Sequence, residues 1–563
     1  MKKIAIFIAI LTATLSSCSD FIEEDNRAFG SAEQYFLTGA GFESLVNTNY
    51  AALKDIYGGD PWLFEAGTDM YSEGRNQEPE GLSKYLTLSS SSQGVDQLYR
   101  TCYTAIQQAN KGIYYSGITE KTSTVDTRVG ELKFLRANAY FLLVQTYGGV
   151  PVVLENYNTA VTSFSRNTAE EVYAQIIKDL NEALPAVSTA AYTGRVNKRA
   201  VQNLLAKVYL TKGYETFGTP TDFTTAASLA DQVINGQALN VAFDNVVKPG
   251  SEMNAETIFS VQFSAASNAT GTTALGNSQN YWFGSYLGPS AAGNPYPNRS
   301  YTLCPTVYAL SLYEKGDKRW EGTFMTEIYG RYYDYYTVAD KTALKITDFY
   351  EPKWFTPADK TTWIAANTAR MQNPATFRYH NWGTYSSSAP SGGDYNLIPV
   401  RKFDDPSAPY SGATSANYNT TPVTPATNRS STRDFIIARL GETYLIAAEA
   451  YFKAGVPSTA LIRLNEVRRR AGGGVTGAIP VLTAIDINTI LDERGRELLG
   501  EYHRWFDLKR TGTLVERTVL YNPKITNSNV FNGQNGNLKI LRPIPQSALD
   551  LNRNDDFPQN PAY

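Results

Sequence analysis

The chain has 563 residues, which is long enough to bury a large core. Its 51 basic and 54 acidic side chains leave a net charge of −3, so the composition does not favour nucleic acid or an anionic lipid surface as a partner. With three cysteines and two histidines, the sequence has neither a disulfide framework nor the spacing of metal ligands, and we expect no cofactor and no metal site.

The N-terminus is typical of a secreted lipoprotein. Two lysines precede an apolar run that is too short to span a bilayer, so we predict a signal peptide over residues 1–17. The sequence LSSC ending at Cys18 is similar to a lipobox, which predicts a lipid anchor at this cysteine. The alternative is a cysteine that merely follows a signal peptide. Acidic residues then predict a solvated tether over residues 18–30.

Helical periodicity dominates residues 31–236. The predicted helices cover residues 41–57, 96–115, 131–147 and 168–184, followed by one capped by Asn197 and one capped by Asp222. Their apolar stripes face one another in pairs, and we count four helical pairs, the last at residues 434–471. This arrangement predicts a mostly α fold built on a tetratricopeptide-like helical-repeat scaffold.

The composition changes between residues 237 and 430. Residues 256–263 are rich in β-branched and aromatic side chains, which predicts a strand. Clusters of Ser, Asn, Gly, Thr and Pro predict loops around it. We therefore predict a large, loop-rich, partly β insertion that is interleaved with the helical part and is not an independent domain. Loops on a rigid scaffold are a common place for binding sites.

The C-terminal part, residues 431–563, has the most regular helical pattern. Ser431 and Asp434 have the spacing of a capping box, which predicts a helix from residue 434 that ends at Gly455. Ser458 is the predicted cap of a second helix that ends at Gly472. Because the turn between these helices is short, we expect them to pack antiparallel.

Charged residues recur along these helices. The set comprises Arg439, Glu442, Glu449, Arg494, Glu497 and Glu501. As a general acid and base, the glutamates would indicate an enzyme. As partners of nearby arginines, they would hold the helices in register, and such carboxylates have lowered pKa values that make them poor acids. We favour this structural interpretation.

Several motifs together resemble one known family. They are RLGETYLIAAEA at 439–450, ERGRE at 493–497, HRWFDLKR at 503–510, LRPIP at 541–545, QNPAY at 559–563, FLRA at 134–137 and YGGVP at 147–151. This set resembles the SusD/RagB family of surface lipoproteins, which bind nutrients, often glycans. The chain departs from the family pattern at Ala562, where a glycine is usual, and at Gly495, where an arginine is common.

The resemblance implies the same helical architecture and a binding function without catalysis. It implies a lipid-anchored protein of the outer membrane that binds an oligosaccharide and delivers it to a SusC-like TonB-dependent transporter. A binding protein for peptides or another nutrient is an alternative that the family also allows. A secreted glycan hydrolase is a third possibility, for which a pair of carboxylates would suffice.

Aromatic residues in the insertion suggest where a ligand would bind. Flat Trp and Tyr rings cover the apolar faces of sugars, and polar side chains bond the hydroxyl groups. We predict that Trp282, Tyr286 and Trp320 stack on the ligand. Arg75 and Asn76 follow the first long helix, in a region that helps to line the ligand site in similar proteins, and are predicted to bond the polar rims. The alternative is that the rings fill a core beneath long loops.

Overall fold

A computed structural model describes most of the chain. The described residues are 32–74, 79–264, 276–283, 302–332, 334–386, 396–406 and 431–563. The predicted signal peptide, Cys18 and the acidic tether lie outside the described residues. So do three of the predicted ligand-binding residues, Arg75, Asn76 and Tyr286.

Helices form the greater part of the described fold. The longer ones are α2 (Gly39–Tyr57), α5 (Gln97–Ser116), α6 (Val125–Tyr147), α7 (Ala169–Ala183), α8 (Lys198–Lys212), α9 (Pro220–Ile234), α15 (Pro357–Asn367), α16 (Leu440–Lys453), α17 (Pro457–Ala471) and α18 (Ile487–Leu498). The shorter ones are α1 (Ala32–Phe36), α3 (Trp62–Glu65), α4 (Glu80–Lys84), α10 (Phe243–Val247), α11 (Gln279–Trp282), α12 (Val307–Ser311), α13 (Arg319–Thr323), α14 (Asp334–Thr337), α19 (Arg504–Arg510), α20 (Leu514–Tyr521) and α21 (Gln546–Leu551).

The long helices pack in the pairs that the sequence predicted. Helix α2 packs on α5, α6 on α7, α8 on α9, and α16 on α17. Further contacts between α5 and α6 and between α9 and α16 join one pair to the next. The prediction of a mostly α, helical-repeat scaffold is therefore confirmed.

Local capping accounts for several helix starts. The Asn197 side chain accepts a hydrogen bond from the backbone N–H of Ala200, as predicted for the start of α8. The prediction for Asp222 was wrong in detail, because α9 begins at Pro220 and Thr219 is the capping residue. Asp222 completes the capping box, accepting a hydrogen bond from the backbone N–H of Thr219 at 2.7 Å.

The predicted capping box at Ser431 and Asp434 is a clear error. Residues Phe435–Arg439 form a strand, β7, and α16 begins only at Leu440. Ser431 donates its hydroxyl hydrogen bond to Asp405, and Asp434 accepts one from the backbone of Phe263. These residues form a strand despite the helical pattern because they pair with residues Thr257–Val261 of the insertion, and their β-branched side chains favour this pairing.

The second predicted cap in this region was also wrong. Helix α17 begins at Pro457, so Ser458 lies inside its first turn. Proline is suited to this first position because its missing N–H has no partner there in any helix. The predicted ends are confirmed: Gly455 follows α16 with φ +78°, and Gly472 caps α17.

Short strands link the insertion to the helical scaffold. They are β1 (Tyr71–Glu73), β2 (Thr257–Val261), β3 (Leu303–Pro305), β4 (Glu327–Tyr329), β5 (Ile346–Tyr350) and β6 (Arg378–His380). Strand β2 pairs antiparallel with β7, and β1 pairs antiparallel with β3. Strands β4, β5 and β6 form a small mixed sheet. Backbone pairing thus joins the insertion to both ends of the scaffold.

One large apolar cluster runs through the scaffold and the insertion. Cys102 and Cys304 are free thiols buried in it, as the sequence predicted. Burial raises the pKa of the Cys304 thiol to about 12, so this thiol stays protonated and unreactive. Within the described ranges, none of the helices has both the length and the apolar character needed to cross a membrane.

Candidate ligand-binding site

The two-stranded β1–β3 ribbon brings together the described residues next to segments 75–78 and 284–301. Tyr71, Ser72 and Glu73 lie opposite Pro305, Cys304 and Leu303, in that order. The ladder continues where Gly74 donates its backbone hydrogen bond to the carbonyl of Thr302 at 2.8 Å. Gly74, which precedes segment 75–78, is therefore paired with Thr302, which follows segment 284–301. The first segment carries Arg75 and Asn76, and the second segment carries Tyr286.

The other end of segment 284–301 is anchored in the core next to the same ribbon. Phe283 packs against Tyr71 of β1, with ring centroids 4.8 Å apart. Trp282 packs edge-on against Trp62 of α3, with centroids 4.5 Å apart. The residues that flank segment 284–301 are therefore both held beside β1, Phe283 by ring packing and Thr302 by backbone pairing. We call the ribbon, these anchors and segments 75–78 and 284–301 the ribbon site.

Trp282 and Trp320 do not expose the ring faces that stacking on a ligand would need. Trp282 is 6% exposed and Trp320 is 1% exposed. Trp320 packs with Phe324 and Trp354, at centroid distances of 4.9 and 5.3 Å. The burial of these two rings favours the alternative interpretation, in which they fill a core. Their contact with a ligand stays a prediction.

We expect Trp282→Ala to destabilise the whole protein by about 3 kcal/mol or more, because it opens a cavity beside Trp62. Urea unfolding measures the change in free energy. Tyr114→Ala is the control, since that ring is 51% exposed and its loss should cost little. A Trp282→Ala variant that unfolds like the wild type and loses only ligand affinity would contradict the assignment of Trp282 to the core.

A buried carboxyl group lies in the same short helix as Trp62. Glu65 accepts a hydrogen bond from the backbone N–H of Tyr502 at 3.0 Å, and its second oxygen, Oε2, has no hydrogen-bond partner among the described residues. Burial raises the pKa of Glu65 to about 8, although Arg504 and Lys402 act in the opposite direction. Glu65 is therefore protonated in the folded protein at neutral pH.

Glu65→Gln should remove a pH-dependent loss of stability. The unfolded carboxyl releases its proton near pH 4.5 and the folded one near pH 8, so the wild type loses stability as the pH rises between these values. The neutral glutamine keeps an acceptor for Tyr502. We expect a melting temperature several degrees above the wild type at pH 8 and nearly equal at pH 5. If the variant and the wild type differed in melting temperature by the same amount at pH 8 and at pH 5, a raised pKa of Glu65 would be contradicted.

The glutamates of the patterned helices belong to buried ion-pair networks. Glu497 contacts three guanidinium groups, those of Arg439, Arg470 and Arg319. Burial alone would raise the pKa of Glu497, but these three charges outweigh it and lower the pKa to about 2. Glu493 has a lowered pKa for the same reason. Permanently ionised, enclosed carboxylates cannot act as general acids, which supports the structural interpretation.

The remaining charges of the motif are also paired. Glu449 pairs with Arg510 at 2.8 Å, and Arg494 pairs with Asp507 at 2.7 Å. Glu442 pairs with Lys207 at 2.8 Å and lies 3.6 Å from His503. Burial lowers the pKa of His503 to about 4, so this imidazole is neutral at physiological pH. Among the described residues, no cluster of His, Cys, Asp and Glu is arranged to hold a metal ion.

The fold defines the class of the molecule as a mostly α helical-repeat protein with interleaved loops. Comparison with known proteins then gives the family. A family model described as "SusD family" matches residues 255–563, and one described as "Starch-binding associating with outer membrane" matches residues 20–210. The chain belongs to the SusD family, which confirms the resemblance seen in the motifs.

Individual relatives cover the whole length of the chain. SusD-like protein P2 of Formosa agariphila is 26% identical over 100% of both chains. The starch-binding protein SusD of Bacteroides thetaiotaomicron is 24% identical over 99% of this chain and 98% of its own. A solved structure of a laminarin-binding SusD-like protein has a TM-score of 0.65 at 21% identity, covering 93% of this chain and 100% of that chain. This last likeness confirms the fold.

The sequence analysis missed the residues that position the ribbon site. Trp62, Tyr71 and Phe283 hold its base, yet each lies in an element of five residues or fewer, or just beyond one. Such short elements show no periodicity. The one available signal was local: residues 61–66 (PWLFEA) form an apolar run that no predicted helix covered.

Proposed function

We propose that this protein binds an oligosaccharide nutrient at the ribbon site and delivers it to a SusC-like TonB-dependent outer-membrane transporter. The observation that carries the proposal is the common base of segments 75–78 and 284–301 on the β1–β3 ribbon. Because the described residues that flank the two segments are paired before a ligand arrives, binding would not have to order this base. Arg75, Asn76 and Tyr286 are the side chains of these loops that would contact the sugar.

The residues of the loops fit a sugar. Segment 284–301 contains Tyr286, Tyr296, Asn294 and Asn298, which combine ring faces with amide groups. Such side chains cover the apolar faces of sugar rings and bond their hydroxyls. The family relatives that bind starch and laminarin support a glycan as the ligand. Trp282 acts as a positioning residue in this proposal, because it holds one end of the segment.

The state of the carboxylates supports a proposal of binding without catalysis. Glu497, Glu449 and Glu442 of the patterned helices are each held in an ion pair, which does not favour the role of a general acid. Incubation of the purified protein with a panel of labelled glycans tests the proposal. We expect at least one oligosaccharide to be retained, with its length unchanged by chromatography. Shortened products would contradict a binding protein, and retention of no glycan would contradict the ligand class.

The proposed location is the outer membrane, with Cys18 as the lipid anchor. The description "Starch-binding associating with outer membrane" of the family model that matches residues 20–210 supports this location. We expect Cys18→Ala to release the protein from the membrane fraction. A variant that stays fully membrane-bound with unchanged processing would place the anchor elsewhere.

A pull-down of the wild type from membranes in mild detergent tests the transporter partner. We expect it to recover a large β-barrel protein, and repeated recovery of the lipoprotein alone would argue against the partner.

A further inference from the structure

We propose that the protein has a second oligosaccharide-binding site in an aromatic groove on the helical scaffold, separate from the ribbon site. The groove lies between α5, the segment 151–164 and the C-terminal helix α21, and we call it the α5 groove. Its volume is about 640 Å³, within the range of about 300–1,000 Å³ that is usual for small-ligand sites. The proposal takes its ligand class from the proposed function but does not depend on the ribbon site.

Aromatic rings line the α5 groove from two parts of the chain. Tyr99 and Tyr103, one turn apart on α5, line one side with ring centroids 4.9 Å apart. Tyr157 and Phe164 come from the segment opposite, with centroids 6.3 Å apart. Tyr157 is 36% exposed. Rings on both sides of a groove can cover the two apolar faces of a sugar chain.

The polar groups of the groove fit a neutral ligand with many hydroxyls. Gln107, Gln108 and Asn552 contribute amide groups to its lining. The buried Oε1 atom of Gln108 has no hydrogen-bond partner among the described residues. Arg100 is the one charged side chain among the described residues that line the groove, and it lies 3.8 Å from Asp96. A neutral sugar meets no unpaired buried charge there.

Hydrogen bonds tie the walls of the groove to one another. Phe164 and Asn552 exchange two of them: the backbone N–H of Phe164 donates to Oδ1 at 3.1 Å, and Nδ2 donates to the carbonyl of Phe164 at 2.9 Å. The Tyr103 hydroxyl donates to the carbonyl of Pro151 at 2.8 Å. Because both walls are fixed before a ligand arrives, binding does not have to order them.

The α5 groove and the ribbon site use different parts of the chain. The groove is lined by residues of α5, of the stretch from Pro151 to Phe164 and of the C-terminal stretch from Ala548 to Phe557. None of these belongs to β1, β3 or the anchors of segment 284–301. Two sites on one protein would let a long glycan be held at two points, which raises the effective concentration at each.

The test is a calorimetric titration of the full mature chain with maltohexaose and, separately, laminarihexaose, up to about 10 mM sugar. Four substitutions are compared with the wild type, and one of them, Tyr286→Ala, tests the ribbon site. Tyr157→Ala removes a groove ring, Leu551→Asp places a charge at the rim of the groove, where the leucine is 75% exposed, and Tyr114→Ala removes an exposed ring of α5 outside the groove. Melting curves of all variants check that the fold is intact.

We expect one of the two sugars to bind at two sites of the wild type. Tyr157→Ala and Leu551→Asp should weaken one of these sites about tenfold or more and leave the other unchanged, whereas Tyr114→Ala should change neither. A single site that both groove variants leave unchanged would overturn the second site and leave the proposed function standing. A single site that both groove variants abolish and Tyr286→Ala leaves intact would support the α5 groove and overturn the ribbon site. No binding of either sugar would overturn the second site.

Discussion

Replacing Glu497 with alanine is expected to lower the free energy of unfolding by about 3–5 kcal/mol, the largest effect that we predict for a single substitution. Glu497 is fully buried and contacts the guanidinium groups of Arg439, Arg470 and Arg319. Its removal takes away the carboxylate group that these three buried guanidinium groups share. Uncompensated buried charge, more than the loss of the ion pairs themselves, sets the size of the effect.

The matched control is Glu466→Ala. Glu466 also pairs with an arginine, Arg469 at 2.6 Å, but its side chain is 29% exposed, so water replaces the lost partner. We expect this variant to lose less than about 1 kcal/mol. Urea unfolding of both variants, followed by circular dichroism, gives the comparison. Equal losses in the two variants would contradict the view that the buried network holds the C-terminal helices together.

Acid is expected to destabilise the protein over a pH range that is set by the buried carboxylates of the ion-pair networks. The pKa of Glu497 is lowered to about 2, and those of Glu493, Glu501 and Asp507 are lowered as well. In each case burial opposes ionisation and the neighbouring arginines outweigh it. In the unfolded chain these groups take up protons near pH 4, so their contribution to stability is complete above that pH and is lost as the pH falls toward 2.

The loss expected from Glu497 alone is about 3 kcal/mol between pH 4.5 and pH 2, and the other three carboxylates add to it. Unfolding free energies measured at intervals of pH give this slope directly. Sodium chloride should change the slope little, because buried charges are poorly screened. A protein that remained equally stable from pH 5 to pH 2 would contradict the lowered pKa values.

The helical scaffold could be predicted because its signals are local. The apolar stripes of α2, α5 and α7 repeat over four or more turns, and the caps at Asn197 and Gly455 are short-range features. The strand β7 could not be predicted in the same way. Its residues lie directly before a strongly helical segment, and its partner β2 is far away in the sequence. Such pairing is decided by tertiary contacts.

The ribbon site was accessible to sequence analysis only in part. Its loops were identified from the family resemblance and from composition, but the burial of Trp282 and Trp320 depends on what packs beside them. Trp282 meets Trp62, which comes from α3, and Trp320 meets Trp354, which follows β5. A count of aromatic residues cannot separate rings that face solvent from rings that fill a core, because both occur on loop-rich sequence.

The most direct test of oligosaccharide binding at the ribbon site is a calorimetric comparison of Tyr286→Ala with the wild type, using the glycan that the panel identifies. Tyr114→Ala serves as the control for the loss of an exposed ring. Loss of a stacked ring should weaken binding about ten- to a hundredfold, with an unchanged melting temperature. Unchanged affinity in Tyr286→Ala, and again in an Arg75→Ala/Asn76→Ala double variant, would contradict the placement of the ligand between the two loops of the ribbon.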